Sequence, residues 1–120
     1  MNVPVLQGGF NYFFCLILIT YHAIISLMIK TFRSKETERL FARFPSKHFP
    51  ANLHRAAWKK LAILDAAEQI EDLRIPPGNH LEKLSGDRQG GYSIRINDQW
   101  RICFHWRQGN AYDVEIADYH

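Results

Sequence analysis

The sequence predicts an α+β domain in which an N-terminal strand and two helices pack on one face of a twisted, mainly antiparallel sheet. Two patterns carry this prediction: apolar residues recur at helical spacing before residue 70 and at every second position after residue 90. Because the helical and strand segments are segregated along the chain, we expect them to form separate layers. A length of 120 residues suits one such core, which we place in residues 28–120.

The helical half of the domain begins after a short apolar segment, residues 28–33, which is typical of a strand. Ser34 is placed to cap a helix that runs through Phe44, because the next residue is a proline that ends it. Leu40, Phe41 and Phe44 share one apolar face of this helix. A second helix is expected with Pro50 in its first turn. Its apolar residues recur at spacings of three and four: Leu53, Ala57, Leu61 and Leu64.

The strand half of the domain follows a Pro-Pro-Gly-Asn run at residues 76–79, which predicts a loop and no regular element. Residues 80–84 form one short strand-like run. Apolar and polar side chains then alternate in three segments separated by tight turns, at residues 92–96, 100–106 and 112–116. This pattern predicts three or four antiparallel strands.

The first quarter of the chain has a different composition from the rest. All 15 Lys and Arg and all 12 Asp and Glu lie at or after Lys30, so residues 1–27 form an apolar leader without formal charge. Residues 10–29 could cross a bilayer, since about 20 apolar residues span its hydrocarbon core. We expect a non-native extension upstream of a start at Met28, with a membrane anchor as the alternative. A secretory signal is disfavoured because no basic residue precedes the apolar stretch.

Overall charge and cysteine content indicate which binding partners and which stabilising cross-links the chain is expected to have. The net charge of +3 suits a polyanionic partner, although many proteins without such a partner are equally basic. Cys15 and Cys103 do not have the spacing of zinc ligands, so neither a disulfide framework nor a structural metal is expected.

One face of the predicted sheet is rich in cations. Antiparallel sheets commonly bury one face and expose the other, and the residues that alternate with the apolar set are Arg95, Arg101, His105 and Arg107. Guanidinium groups bind phosphate through paired hydrogen bonds, which favours a nucleic-acid surface. The alternative is a solvated outer face in which these cations pair with Asp113 and Glu115.

Further candidate catalytic residues stand at the ends of strands. His80 and Lys83 follow the Pro-Gly loop, and the chain ends in Asp118, Tyr119 and His120. RNA can be cleaved without a cofactor if one group activates the ribose 2′-OH, cations stabilise the phosphorane and an acid protonates the departing 5′-oxygen. All of these residue types are present.

Two segments make the sequence similar to a known family. LEKLSGDRQGGYSIRINDQWRICFHW, followed by VEIADYH, resembles the HigB branch of the RelE/ParE toxin superfamily, whose members are also described as plasmid maintenance system killer proteins. The resemblance covers residues 28–120. It implies the RelE-like microbial RNase fold and a cytoplasmic toxin of a type II toxin-antitoxin system.

The resemblance also implies an activity and partners. The activity is metal-independent endonucleolytic cleavage of mRNA in the A site of the 30S ribosomal subunit, which inhibits translation and requires no cofactor. The expected partner is a HigA-like antitoxin with a helix-turn-helix domain, and a membrane is a partner only if the leader is native. The active-site positions that the resemblance implies are His80, Lys83, Arg95, Arg101, Asp118, Tyr119 and His120. Of these, Arg95 is assigned to RNA binding, together with Arg107 of the cationic sheet face, and the others to catalysis.

Side-chain chemistry suggests a role for each residue. His80 and His120 are assigned as the acid and base, in either order, because imidazole changes its charge near neutral pH. Lys83 and Arg101 would hold the scissile phosphate, with support from Arg95. Tyr119 is expected to stack on or orient a nucleotide. The remaining assignment is Asp118, which would orient a histidine or an arginine.

Two other functional classes stay open at this point. A ParE-like toxin shares the fold and acts on DNA gyrase without nuclease chemistry, whereas His80 and the terminal Asp-Tyr-His favour RNA cleavage. A membrane-tethered interaction protein is supported by the apolar leader alone.

Overall fold

A computed structural model describes residues 28–85 and 90–119. The predicted leader, residues 86–89 of the family-like motif and the terminal His120 lie outside this described part. The helices are α1 (Lys35–Phe41) and α2 (His54–Ala66), and the strands are β1 (Glu82–Lys83), β2 (Gly91–Arg95), β3 (Trp100–Arg107) and β4 (Asn110–Asp118). Three short 3-10 turns occur at Ala51–Leu53, Ile70–Arg74 and Pro77–Asn79. The α+β prediction is therefore confirmed.

The four strands form one antiparallel sheet in chain order, β1-β2-β3-β4. The predicted first strand lies along the outer edge of β4, where Ile29 and Phe32 make parallel bridges to Ala111 and Val114. Between these bridges β4 carries an extra residue, because Asp113 adopts a φ of 54° and the register shifts against β3. This bulge interrupts the parallel ladder and leaves two isolated bridges where a continuous strand was expected.

Both helices pack on one face of the sheet. The core combines Leu53 of the first 3-10 turn and the predicted apolar residues of α2 with alternate residues of the strands. These core residues are Leu53, Ala57, Leu61, Leu64, Ile94, Ile102, Phe104, Val114 and Ile116. A buried polar contact supplements this packing: the hydroxyl of Thr37 on α1 accepts a hydrogen bond from the backbone N–H of Ile116 at 3.0 Å. Within the described residues, no helix is long and apolar enough to cross a membrane.

Helix α1 ends earlier than the sequence predicts. Ser34 caps its start as expected by accepting the N–H of Thr37, but the helix ends at Phe41. Arg43 then adopts the left-handed conformation with φ 72°, and its N–H and that of Phe44 return to carbonyls of the last turn. This reversal closes the helix and turns Phe44 outward, where it is 56% exposed. The prediction that Phe44 shares the face of Leu40 is wrong.

The segment between α2 and β2 also differs from its prediction. Residues 76–79 do not form an irregular loop, because Pro77–Asn79 is a 3-10 turn. Strand β1 is confined to Glu82–Lys83, because His80 closes that turn with a φ of 44°, which is incompatible with an extended strand. The short strand predicted at residues 80–84 is thus only partly present.

The early end of α1 leads to a stability prediction. Leu40→Ala removes a fully buried side chain and should lower the free energy of unfolding by about 2–5 kcal/mol. Phe44→Ala removes an exposed ring that contacts Arg39, with an expected loss below about 1 kcal/mol. Urea denaturation of both variants measures the difference. Equal losses would mean that α1 continues through Phe44.

Candidate active site

The guanidinium of Arg101 lies at the centre of the sheet face opposite the helices. Its Nε donates to the hydroxyl of Ser93 at 2.8 Å, and Nη2 donates to the carbonyls of Ser93, at 3.2 Å, and of His80. Arg101 is only 8% exposed and Ser93 is fully buried. This face was expected to be exposed to solvent, but its central part is buried. Hydrogen bonds to two elements fix the guanidinium in one orientation.

Glu82 lies beside this guanidinium. The register of β1 places it opposite Ser93, and its Oε1 lies 3.8 Å from Nη2 of Arg101. Its side chain is 59% exposed, so the carboxylate can be reached from solvent. Glu82 is not among the residues that the sequence pattern singles out. The available signal was its position two residues after His80, because alternate residues of a strand share a face.

The backbone of His80 is part of this arrangement. Its carbonyl accepts the hydrogen bond from Arg101, and its left-handed conformation follows directly from its position at the end of the Pro77–Asn79 turn. The residue is exposed. Within the described residues, no contact links the His80 imidazole to Arg101 or Glu82. The structure thus brings the main chain of His80 to the site.

A second hydrogen-bond network holds the loop before His80. Asn79 is fully buried, and its amide donates to the carbonyls of Leu73 at 3.1 Å and Ile75 at 3.3 Å. Its side-chain oxygen accepts a 2.5 Å hydrogen bond from Nζ of Lys60 on α2. This network joins the helical layer to the loop that leads into the site. Sequence patterns gave no sign of it, because Lys60 and Asn79 are 19 residues apart.

The Lys60 ammonium is electrostatically disfavoured at this position. Burial lowers the pKa of Lys60 from its ordinary value of 10.5, and the nearby charges of Arg95 and Lys59 lower it further. Arg95 itself pairs with Asp98 and is the cross-strand partner of Arg101. The cations at this end of the sheet therefore form a concentrated positive region.

The last residues of β4 contribute an aromatic ring. The Tyr119 ring centroid lies 6.0 Å from the guanidinium carbon of Arg101, and its hydroxyl lies 4.0 Å from the sulfur of Cys103. The carboxylate of Asp118 accepts a 3.1 Å hydrogen bond from the side chain of Gln99. Asp118 pairs in register with Trp100, which places it on the opposite face from Arg101. His120 follows Tyr119 and lies outside the described residues.

Two predicted cations lie away from Arg101. Arg107 is six residues further along β3, which corresponds to about 20 Å, and its guanidinium packs on the ring of Tyr112 at 4.1 Å. Lys83 pairs with Tyr92, so the register places it on the opposite face from Glu82. The structure therefore groups Arg101, Arg95 and Tyr119 and separates Lys83, Arg107 and Asp118 from them.

The acidic residues of the bulged strand pair with other groups. Asp113 lies 3.6 Å from the His105 ring, and Glu115 lies 3.9 Å from Arg33. The alternative of a solvated face with cross-strand pairs thus fits the distal half of the sheet, near His105. Across residues 28–85 and 90–119, no cluster of His, Cys, Asp and Glu side chains could hold a metal ion.

This geometry suits the binding of a phosphate beside an acid-base group. In the part of the chain described, Nη1 of Arg101 donates to no acceptor, although the other nitrogens are engaged. A phosphate oxygen could accept from Nη1, with Glu82 close enough to exchange a proton with a neighbouring hydroxyl. The ring of Tyr119 provides a flat surface next to the same guanidinium.

The lowered pKa of Lys60 predicts a pH dependence of stability. Between this lowered pKa and 10.5 the unfolded chain binds more protons than the folded chain, so the Lys60 contribution rises with pH. The stability of the wild type relative to Lys60→Gln should therefore increase as the pH approaches 10.5. Denaturant titrations from neutral pH upward measure it.

Lys35→Gln provides the matched control, since it removes one positive charge at an exposed position. Its response is subtracted at each pH. If the stability of the wild type relative to Lys60→Gln stays constant or decreases as the pH rises, the electrostatic cost at Lys60 is contradicted.

Most of this chain is similar to known toxin proteins. Residues 30–120 match the family described as RelE-like toxin of type II toxin-antitoxin system HigB. Toxin HigB-1 of Vibrio cholerae is 46% identical over 67 residues, which cover 56% of this chain and 70% of that protein. Endoribonuclease HigB of Proteus vulgaris is 34% identical over 93 residues, which cover 78% of this chain and all of that protein. The chain therefore belongs to the HigB-like family of RelE-like type II toxins.

Proposed function

We propose that this chain is a type II toxin that cleaves mRNA on translating ribosomes, in the cytoplasm, under the control of a HigA-like antitoxin. Its family membership makes it the toxin of a toxin-antitoxin pair. Endoribonuclease activity agrees with the name of the Proteus vulgaris relative. The dependence on the ribosome and the helix-turn-helix type of the antitoxin are parts of this proposal that experiments have to establish.

The observation that carries the proposal is the fixed guanidinium of Arg101 beside Glu82 and Tyr119. A buried cation with an engaged Nε and Nη2 is preorganised, so little reorganisation is needed when negative charge develops on a phosphate. An adjacent aromatic ring suits a nucleotide base, because single-stranded RNA is commonly bound by stacking.

The reaction consistent with these groups is transfer of the phosphoryl group to the ribose 2′-oxygen. A base removes the 2′-OH proton, the 2′-oxygen forms a bond to phosphorus, and the bond to the 5′-oxygen breaks. Arg101 stabilises the charge on the phosphorane, and His120 protonates the departing 5′-oxygen. The products are a 2′,3′-cyclic phosphate and a 5′-hydroxyl.

Two side chains are candidates for the base in this reaction. Glu82 is favoured by geometry, because its carboxylate lies 3.8 Å from the guanidinium that would hold the phosphate. His80 is the second candidate, because it is exposed two residues earlier and its carbonyl is hydrogen-bonded to Arg101. Lys83, Arg95, Arg107 and Asp118 would assist through longer-range contacts with RNA or with these groups.

Dependence on the ribosome follows from the weak overall charge. A net charge of +3 gives little sequence-independent attraction to RNA, so free RNA would be held poorly. A ribosome that presents the mRNA in its A site would supply the positioning that the toxin lacks. Cleavage of ribosome-bound mRNA should consequently be much faster than cleavage of the same free RNA.

The identity of the base can be decided by substitution. Glu82→Gln and His120→Gln should each lower the single-turnover rate by about 100-fold or more, the usual scale of acid-base catalysis. The measurement is cleavage of ribosome-bound mRNA at saturating toxin, with analysis of the 2′,3′-cyclic phosphate ends. A large loss in His80→Gln with a normal rate in Glu82→Gln would assign the base to His80. Near-wild-type rates in all three variants would exclude this catalytic arrangement.

The contribution of the fixed guanidinium donors of Arg101 can be measured separately from the contribution of its positive charge. Arg101→Lys keeps a cation but loses the fixed fork of donors, and the saturated rate should fall by about 100-fold. Arg107→Gln on the same strand should leave that rate unchanged while raising the toxin concentration needed for half-maximal cleavage. Thermal unfolding of each variant verifies that it is folded.

The alternative target, DNA gyrase, is tested by inducing the wild-type toxin in cells. DNA damage with intact transcripts after induction would indicate action on DNA gyrase and not on mRNA.

A further inference from the structure

A shallow groove runs over the helical layer, away from the candidate active site. Its volume is about 360 Å³, and it is lined by Arg43, Arg55, Trp58, Lys59 and Ala62. The three cationic residues among them are exposed. Lys59 follows Arg55 by one helical turn, a separation of about 6 Å along the axis of α2. The groove thus presents a row of positive charge to solvent.

Arg43 is held in place at the end of this groove. Its left-handed backbone closes α1, and its guanidinium carbon lies 4.8 Å from the ring centroid of Trp58. The indole is itself fixed, because its N–H donates to the carbonyl of Leu40 at 2.7 Å. A guanidinium ordered in this way loses less conformational freedom on binding than a free side chain does.

The groove continues toward the candidate active site through Lys60. Lys60 follows the groove residue Lys59 on α2, and its Nζ donates to Asn79, the residue before His80. The carbonyl of His80 accepts from Arg101, whose cross-strand partner is Arg95. We name the residues that form this row the cationic track: Arg43, Arg55, Lys59, Lys60 and Arg95.

Acidic side chains do not neutralise most of this track. Within residues 28–85 and 90–119, only Arg95 of the five cations makes an ion pair, with Asp98, which is itself 99% exposed. Like charges held close together repel one another, as the effect of Arg95 and Lys59 on Lys60 illustrates. A bound polyanion would relieve this repulsion.

We propose that the cationic track binds the phosphodiester backbone of the substrate mRNA to one side of the scissile phosphate. The inference rests on the proposed function, since it identifies the track ligand as the strand being cut. The link from Lys60 through Asn79 and His80 to Arg101 favours this strand over other anions, because successive phosphates of one chain can follow the row of cations. The two arginines of the groove add donors that match phosphate geometry.

The test compares two double variants of the full chain with equal loss of charge. Arg55→Gln/Lys59→Gln removes two cations of the track, and Lys30→Gln/Lys35→Gln removes two exposed lysines outside the groove. Fluorescently labelled toxin is titrated with ribosomes that carry mRNA with a 2′-O-methylated A-site codon. This mRNA lacks the nucleophilic 2′-OH, so binding is measured without cleavage.

The track variant should bind these ribosomes about tenfold more weakly, with a salt slope shallower by about 1.4, or 0.7 for each lost contact to a single strand. The control variant should bind within about twofold of the wild type, because exposed charges outside a contact contribute little. Ribosomes without mRNA should show no difference between the two double variants. This combination of results would support the track as an mRNA site.

Three outcomes would overturn the proposal. Equal affinity of both variants for mRNA-bearing ribosomes would show that the track does not contact mRNA. An equally large loss on ribosomes without mRNA would assign the track to ribosomal RNA. Weaker binding of the antitoxin with normal ribosome binding would assign it to an acidic protein segment. Cleavage of unmodified mRNA by the wild type is measured separately, so that failure of the nuclease assignment is distinguished from failure of the track.

Discussion

The hydrogen bonds of Arg101 are the interaction on which the candidate site depends. This guanidinium joins Ser93 of β2 to the carbonyl of His80, and thereby fixes the loop that leads into β1 against the centre of the sheet. Burying a cation is costly unless its donors are engaged, and Glu82 offsets part of the remaining charge. The same arrangement that stabilises the buried arginine leaves Nη1 directed at no protein acceptor in the described part of the chain. One residue therefore contributes both to the stability of the fold and to the proposed chemistry.

The loop before His80 is held from its other side by Asn79. A fully buried amide that donates to two carbonyls and accepts from Lys60 leaves the loop little freedom to move relative to α2. The helical layer thus contributes to the position of the site although it packs on the opposite face of the sheet. Keeping Lys60 charged in this position costs free energy, because burial and neighbouring cations disfavour its ammonium. Such a cost is expected where cations lie close together, as they do at the proposed phosphate-binding site.

Regular periodicity made most of the fold predictable. The helical spacing from Leu53 to Leu64 and the alternation along β3 and β4 are local signals that the tertiary structure preserves. Local departures from that periodicity were not predictable. The left-handed conformations of Arg43 and His80 occur in residues that carry no glycine-like signal, and they shorten α1 and β1. Both residues close the turn that precedes them, because the N–H of Arg43 donates to Leu40 and the N–H of His80 donates to Pro77.

The sequence by itself determined the α+β class, most of the apolar faces and the family resemblance, and it named Arg101 and Tyr119 as candidate site residues. Tertiary structure alone decided which candidates meet. The register of β1 against β2 placed Glu82 on the face of Arg101 and Lys83 on the other. The contact of Lys60 with Asn79 and the row of cations across α2 likewise depend on how helices and sheet pack. Periodicity is a property of residues close together in the sequence and can be seen there directly. Contacts between distant segments form only when the helices and the sheet pack together.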